Sequence, residues 1–159
     1  MISKTFLAAA LLIASTALVP AKVSAQNTKH APVDMPAEIL HLINEHRAGM
    51  KLGALKMNSV ISNAAEKHSR NMATKKIPFG HDGFDARMAN VSHQLKGATG
   101  WAENVAYGPT TAKDVVDMWL HSPGHKKNIE GNYNLTGIGI VKGSNGEPYY
   151  TQIFMNKEK

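Results

Sequence analysis

From residue 36 onward the apolar positions first recur at helical spacing and only later alternate. Pro36 suits the first turn of a helix whose apolar face carries Ile39, Leu40, Ile43 and Ala48, with Gly49 near its end. Leu52 to Met57 reads as a connector containing Gly53. Asn58 or Ser59 is placed as the N-cap of a second helix, along which Val60, Ile61, Ala64, Ala65, His68, Met72 and Ala73 share one face. Ile77-Pro78-Phe79-Gly80 breaks that pattern, and a short helix with Phe84, Met88 and Val91 follows. Lys96 to Gly100 is expected to form a loop and Trp101 to Tyr107 a short extended piece. Thr111 to His121 is read as a helix with Val115, Val116, Met118 and Trp119 inward. Ser122-Pro123-Gly124 then reads as a sharp corner that aims His125, because Pro fixes φ and Gly permits positive φ.

The period changes in the tail. Leu135, Gly137, Gly139 and Val141 alternate with Thr136, Ile138 and Ile140. Ser144 to Pro148 supplies a turn, and Tyr149 to Met155 completes a hairpin. Helices first and strands last, with no βαβ rhythm, predict an α+β domain.

Ahead of that domain the pattern is of another kind. Lys4 precedes an apolar run from Phe6 to Val19, and Val23-Ser24-Ala25 has the small residues of a cleavage site. The run is shorter than the roughly 20 residues that span a bilayer. Residues 1–25 are therefore expected to be a secretory signal cleaved after Ala25, residues 26–35 a flexible polar lead-in, and residues 36–157 the folded domain. The expected location is secreted or periplasmic, with no transmembrane anchor after cleavage.

A chain of 159 residues has room for one domain with a core that needs no cross-links. It contains no cysteine, which argues against a small eukaryotic extracellular domain and suits a bacterial exported one. The net charge is +6, and loss of Lys4 and Lys22 leaves 16 basic residues against 12 acidic ones. That excess would favour contact with anionic cell-surface material and is too small and scattered to indicate nucleic acid; ordinary solubility charge is the preferred reading.

Three motifs carry the candidate chemistry. They are Gly80-His81 with Phe84 and Arg87, then Ala102-Glu103-Asn104-Val105-Ala106, then Trp119 with Ser122-Pro123-Gly124-His125-Lys126-Lys127-Asn128-Ile129. In this order they resemble the CAP superfamily of cysteine-rich secretory, antigen-five and pathogenesis-related proteins. The match is to its cysteine-free bacterial, SCP-like branch and covers roughly residues 36–156. The resemblance implies an α-β-α sandwich with a central antiparallel sheet and a cleft lined by two histidines and two glutamates. His81 matches the first histidine, Glu103 the first glutamate and His125 the second histidine. The second glutamate stands three residues after the helix tryptophan in many relatives, and here that place holds Ser122. Acid–base chemistry by paired carboxylates is accordingly not expected.

The His81/Glu103/His125 set admits three readings. Two imidazoles and a carboxylate suit Zn2+ or another divalent metal with one coordination position open. Glu103 can instead fix the tautomer of one imidazole and make its other nitrogen a general base. The third reading is that these side chains only pin loops together. The expected function is an exported bacterial ligand- or partner-binding module of the cell envelope. The alternative is a metal-assisted hydrolase, a peptidase or esterase using the same cleft.

Other residues receive plainer roles. Ser122 is explained by turn chemistry rather than as a nucleophile. His68 is read as a core or rim histidine, His41, His46 and His93 as surface residues, and His121 as a candidate to line the cleft. Asn104 and Asn128 are read as braces, and Trp119, Phe84 and Trp101 as packing residues. Lys126 and Lys127 would flank the cleft and draw in anions if His125 lines it, and read equally well as an ordinary solvated pair.

Overall fold

The computed structural model describes residues 34–158. The expected signal sequence and residues 26–33 of the lead-in lie outside the described residues. Helix α1 spans Met35–Gly49, with Pro36 in its first turn and Ile39 and Ile43 buried. A two-residue strand β1, Lys56–Met57, leads to α2, Ser59–Ala73. Asn58 caps α2: its side chain accepts from the N–H groups of Val60 and Ile61 at 3.0 and 3.2 Å. Then come α3 (Phe84–Leu95), β2 (Ala98–Tyr107), α4 (Ala112–His121), α5 (Pro123–Ile129), β3 (Leu135–Lys142) and β4 (Pro148–Lys157).

Several local expectations need correction. Met118, read as inward on α4, and Ala48, read as on the apolar face of α1, are exposed, and the connector Leu52 to Met57 ends in strand β1. The segment Lys96 to Gly100 is not all loop, because β2 begins at Ala98, pairs with Lys157 and carries an irregularity between Ala98 and Gly100. Ser122-Pro123-Gly124 is not a corner built on positive φ. Ser122 is an extended residue between α4 and α5, Pro123 starts α5, and Gly124 is helical. Proline's fixed φ serves the first turn of a helix as well as it serves a turn.

The sheet runs β1-β3-β4-β2. Its three long strands are antiparallel, and only the short β1 joins in parallel, against Leu135 and Thr136. The central strand β4 supplies both cores because alternate side chains leave a strand on opposite faces. Tyr150 and Phe154 pack with Ile39, Ile43, Val116 and Trp119, under α1 and α4. Ile153 and Met155 pack with Ile61, Ala65, Met88 and Val91, under α2 and α3. The result is the expected helix–sheet–helix sandwich of α+β class.

Two glycines set how close α2 lies to the sheet. A Cβ on Gly137 would run into the backbone at Ser62, and one on Gly139 into the backbone at Glu66. Ser69 uses this closeness: its hydroxyl donates to the Gly139 carbonyl at 3.0 Å and accepts from the Thr151 hydroxyl at 2.8 Å. On the other side Arg47 is buried and donates to the carbonyls of Gly53, Ile129, Gly131 and Tyr133 at 2.6 to 3.1 Å. Those bonds fasten the end of α1 to the connection between α5 and β3.

Candidate functional site

The candidate residues gather at β2, the free edge of the sheet. Glu103 and Asn104 are consecutive there, so one faces the α2–α3 layer and the other the α4–α5 layer. Asn104 Nδ2 donates to the backbone carbonyl of His125 at 3.2 Å. Asn128 Nδ2 donates to Asn104 Oδ1 at 2.8 Å and to the Glu103 carbonyl at 3.2 Å. The two asparagines thus brace α5 against the strand, and His125 comes to the edge on α5.

His81 arrives from the other layer. It lies in the link between α2 and α3, bracketed by Gly80 and Gly83 at φ +149° and +73°, a region that side chains resist. His68 Nε2 donates to the Gly80 carbonyl at 2.8 Å and so holds the link from beneath. His81 Nδ1 then donates to Glu103 Oε1 at 2.9 Å. That bond leaves His81 Nε2 as the free ring nitrogen, on a side chain that is 51% exposed while Glu103 is 1% exposed.

Arg87 completes the cluster. Its Nε donates to Glu103 Oε2 at 2.9 Å, and its Nη2 reaches both carboxylate oxygens at 2.8 Å. A planar guanidinium fork fits a carboxylate in this two-pronged way. The first sequence motif contained Arg87 but gave no partner for it. His68 was also underestimated: besides bonding Gly80, its Nε2 lies 3.7 Å from Glu103 Oε1. Its helical spacing marked it as buried and could not reveal the carboxylate across the layer.

Burial pushes the His68 imidazole below the usual histidine value, against the opposing pull of the Gly80 carbonyl and Glu103. Burial also lowers His125, and the nearby His81 lowers it further. Both imidazoles are therefore neutral at neutral pH. The Nδ1 atoms of His68 and His125 are buried without a partner in the structure.

These bonds bear on the metal set His81, Glu103 and His125. Glu103 does not fit as the third ligand, since both its oxygens are taken up by Arg87 and His81. Among the described residues no three His, Asp or Glu side chains converge as a metal ion requires. What Glu103 can do in this arrangement is orient His81.

The remaining candidates lie apart. Ser122 makes no side-chain capping bond. His121 Nδ1 donates to the Asp117 carbonyl at 2.7 Å on the exposed end of α4. On α1, His46 pairs with Glu130 at 2.9 Å and His41 with Glu45 at 3.3 Å. Trp119 is fully buried, its Nε1 donating to the Val105 carbonyl at 3.3 Å.

The sequence model of the cysteine-rich secretory protein (CAP) family matches residues 40–154, which takes in all three motifs. The chain belongs to the CAP family. It is 31% identical over 150 residues to the uncharacterized protein YkwD of Bacillus subtilis (strain 168), an alignment covering 90% of this chain and 52% of YkwD. It is 27% identical over 147 residues to the uncharacterized membrane protein YlbC of the same organism, covering 87% of this chain and 39% of YlbC. The CAP chain thus spans about half or less of the length of these relatives. Among solved structures it resembles an outer surface protein of Borrelia burgdorferi, with TM-score 0.67 and 18% identity over 79% of this chain and 97% of that one. An extracellular SCP-domain protein of Bacillus anthracis gives TM-score 0.64 and 25% identity over 77% of this chain and 40% of that one. No helix of this CAP domain, among the described residues, is long and apolar enough to cross a membrane.

Proposed function

We propose that this CAP domain is an exported ligand- or partner-binding module of the bacterial cell envelope, and that His81 and His125 form its contact point. The observation that carries the reading is the state of Glu103. Clamped by Arg87 and accepting from His81, it is spent on orientation and presents His81 Nε2 outward. Binding needs such an aimed group and nothing more. Hydrolysis needs in addition an activated nucleophile and a proton carrier, and the Ser122 hydroxyl, which makes no capping bond at the α4–α5 junction, is not bonded to His125, whose Nδ1 has no partner. Export is supported by the signal-like residues 1–25 and by the extracellular protein of Bacillus anthracis that shares 25% identity.

The metal reading narrows to a divalent ion on the two imidazoles, with water in its other positions. Zinc titration of the purified protein by calorimetry, beside a His81→Ala/His125→Ala variant, tests it. Zinc bound at one equivalent and lost in the variant would support an imidazole-held ion. Absence of zinc uptake would leave the imidazoles as direct ligand contacts. Turnover on peptide or ester panels, abolished in the same variant, would overturn the binding-module reading in favour of a hydrolase.

A further inference from the structure

Beside the His81–His125 cleft, a groove of about 550 Å³ runs between α2 and α3. Its walls follow the same helical spacing on both sides, residues 60, 63, 64, 67, 68 and 71 facing residues 83, 86, 87, 90, 91 and 94. The floor is apolar, with Val60, Ala64 and Val91. The rim carries four carboxamides, Asn63, Asn71, Asn90 and Gln94, and the ammonium of Lys67. Gln94 makes a long bond of 3.4 Å to the Asn90 carbonyl. The side chains of Asn63, Asn71, Asn90 and Lys67 have no intramolecular partner among the described residues. No Asp or Glu lines the groove, and no aromatic ring does either.

We infer that this groove binds an extended peptide that bears a carboxylate. A carboxamide offers a donor and an acceptor together, the complement of a peptide unit's C=O and N–H. Four of them along one groove match a main chain whatever its side chains. The wall from Val60 to Asn71 is about 16 Å long at 1.5 Å per residue, which is the reach of about five extended residues. Lys67 supplies a cation with no competing carboxylate in the lining, so the favoured peptide is acidic or ends in the groove at its own C-terminus. Sugar rings stack on aromatic faces, and this lining has none. His68 and Arg87 form the end of the groove and also contact or approach Glu103, so a bound peptide would lie behind the carboxylate that orients His81. The groove shares His68 and Arg87 with the back of the imidazole cleft, but its carboxamides and Lys67 lie outside that cleft, and the inference does not depend on the reading of it.

The test is nitrogen-15 NMR of the protein titrated with a pool of randomised pentapeptides, as free acids and as C-terminal amides. The side-chain amide resonances of Asn63, Asn71 and Asn90 are expected to shift, with the free acids binding about threefold tighter than the amides. Lys67→Gln should erase that difference. Asn63→Ala/Asn90→Ala should weaken both forms about tenfold or more, with its thermal midpoint near that of the wild type because both residues are exposed. Shifts confined to His81, His125 and their neighbours would overturn the inference, as would no shift at millimolar peptide. Shifts of the same amides by chitopentaose but not by the peptides would overturn it in favour of a glycan.

Discussion

Glu103 meets side chains from α2, the α2–α3 link and α3, namely His68, His81 and Arg87, and its environment makes its removal and its partner's removal different experiments. Arg87→Ala leaves a buried carboxylate without its cation and is expected to cost about 3 kcal/mol of folding stability. Arg87→Lys restores the charge without the fork and should recover only part of that loss. Urea midpoints decide the matter: a loss well under about 1 kcal/mol for the alanine would show that His81 and solvent suffice to hold Glu103. At the same scale, His68 and His125 link stability to pH. Burial holds both below the usual imidazole value near 6.5. The unfolded chain therefore binds more protons than the folded one as pH falls through that value. Their contribution is fully present above about pH 6.5 and is lost below it. Urea midpoints measured from about pH 7.5 down to about pH 5 should fall. They should fall less steeply in His68→Gln, and equal slopes would remove His68 from the linkage.

At the scale of elements, the contact of α2 with β3 is the least forgiving. Gly139→Ala places a methyl group into the backbone of α2, and neither helix nor strand can give way without dragging its own core. The expected loss is about 3 kcal/mol or more, read by thermal unfolding; a variant as stable as the parent would mean that α2 can lift from the sheet. The helical and alternating patterns located nearly every element in the sequence. They failed at Ser122-Pro123-Gly124, where the same residues serve a turn or a helix start. The choice fell to the helix because Asn104 and Asn128 hold α5 along the edge of β2. They failed also at Ala98 to Gly100, where strand pairing with the end of β4 overrides the glycine content.

For the whole molecule, the sandwich has two cores and one sheet, and β4 contributes to both. Coupling through that strand predicts one cooperative transition. The chain carries a natural reporter in each layer: Trp119 lies in the α1–α4 core, and Trp101 packs against the α2–α3 core. Fluorescence of Trp101→Phe and Trp119→Phe variants, each followed in urea, should show curves that coincide with the loss of circular dichroism in the same variant. Separate fluorescence and dichroism midpoints within one variant would show that a layer melts alone.

The sequence alone determined the class of the fold, the order of its longer elements and the family, because apolar period, caps and ordered motifs are local properties of the chain. It also brought His81, Glu103 and His125 forward together, through the resemblance those motifs carry. Only the tertiary structure decided how Glu103 is used. The hydrogen bonds of a carboxylate depend on what two other elements bring to it across a layer, and neither the spacing of Arg87 on α3 nor that of His68 on α2 records that meeting.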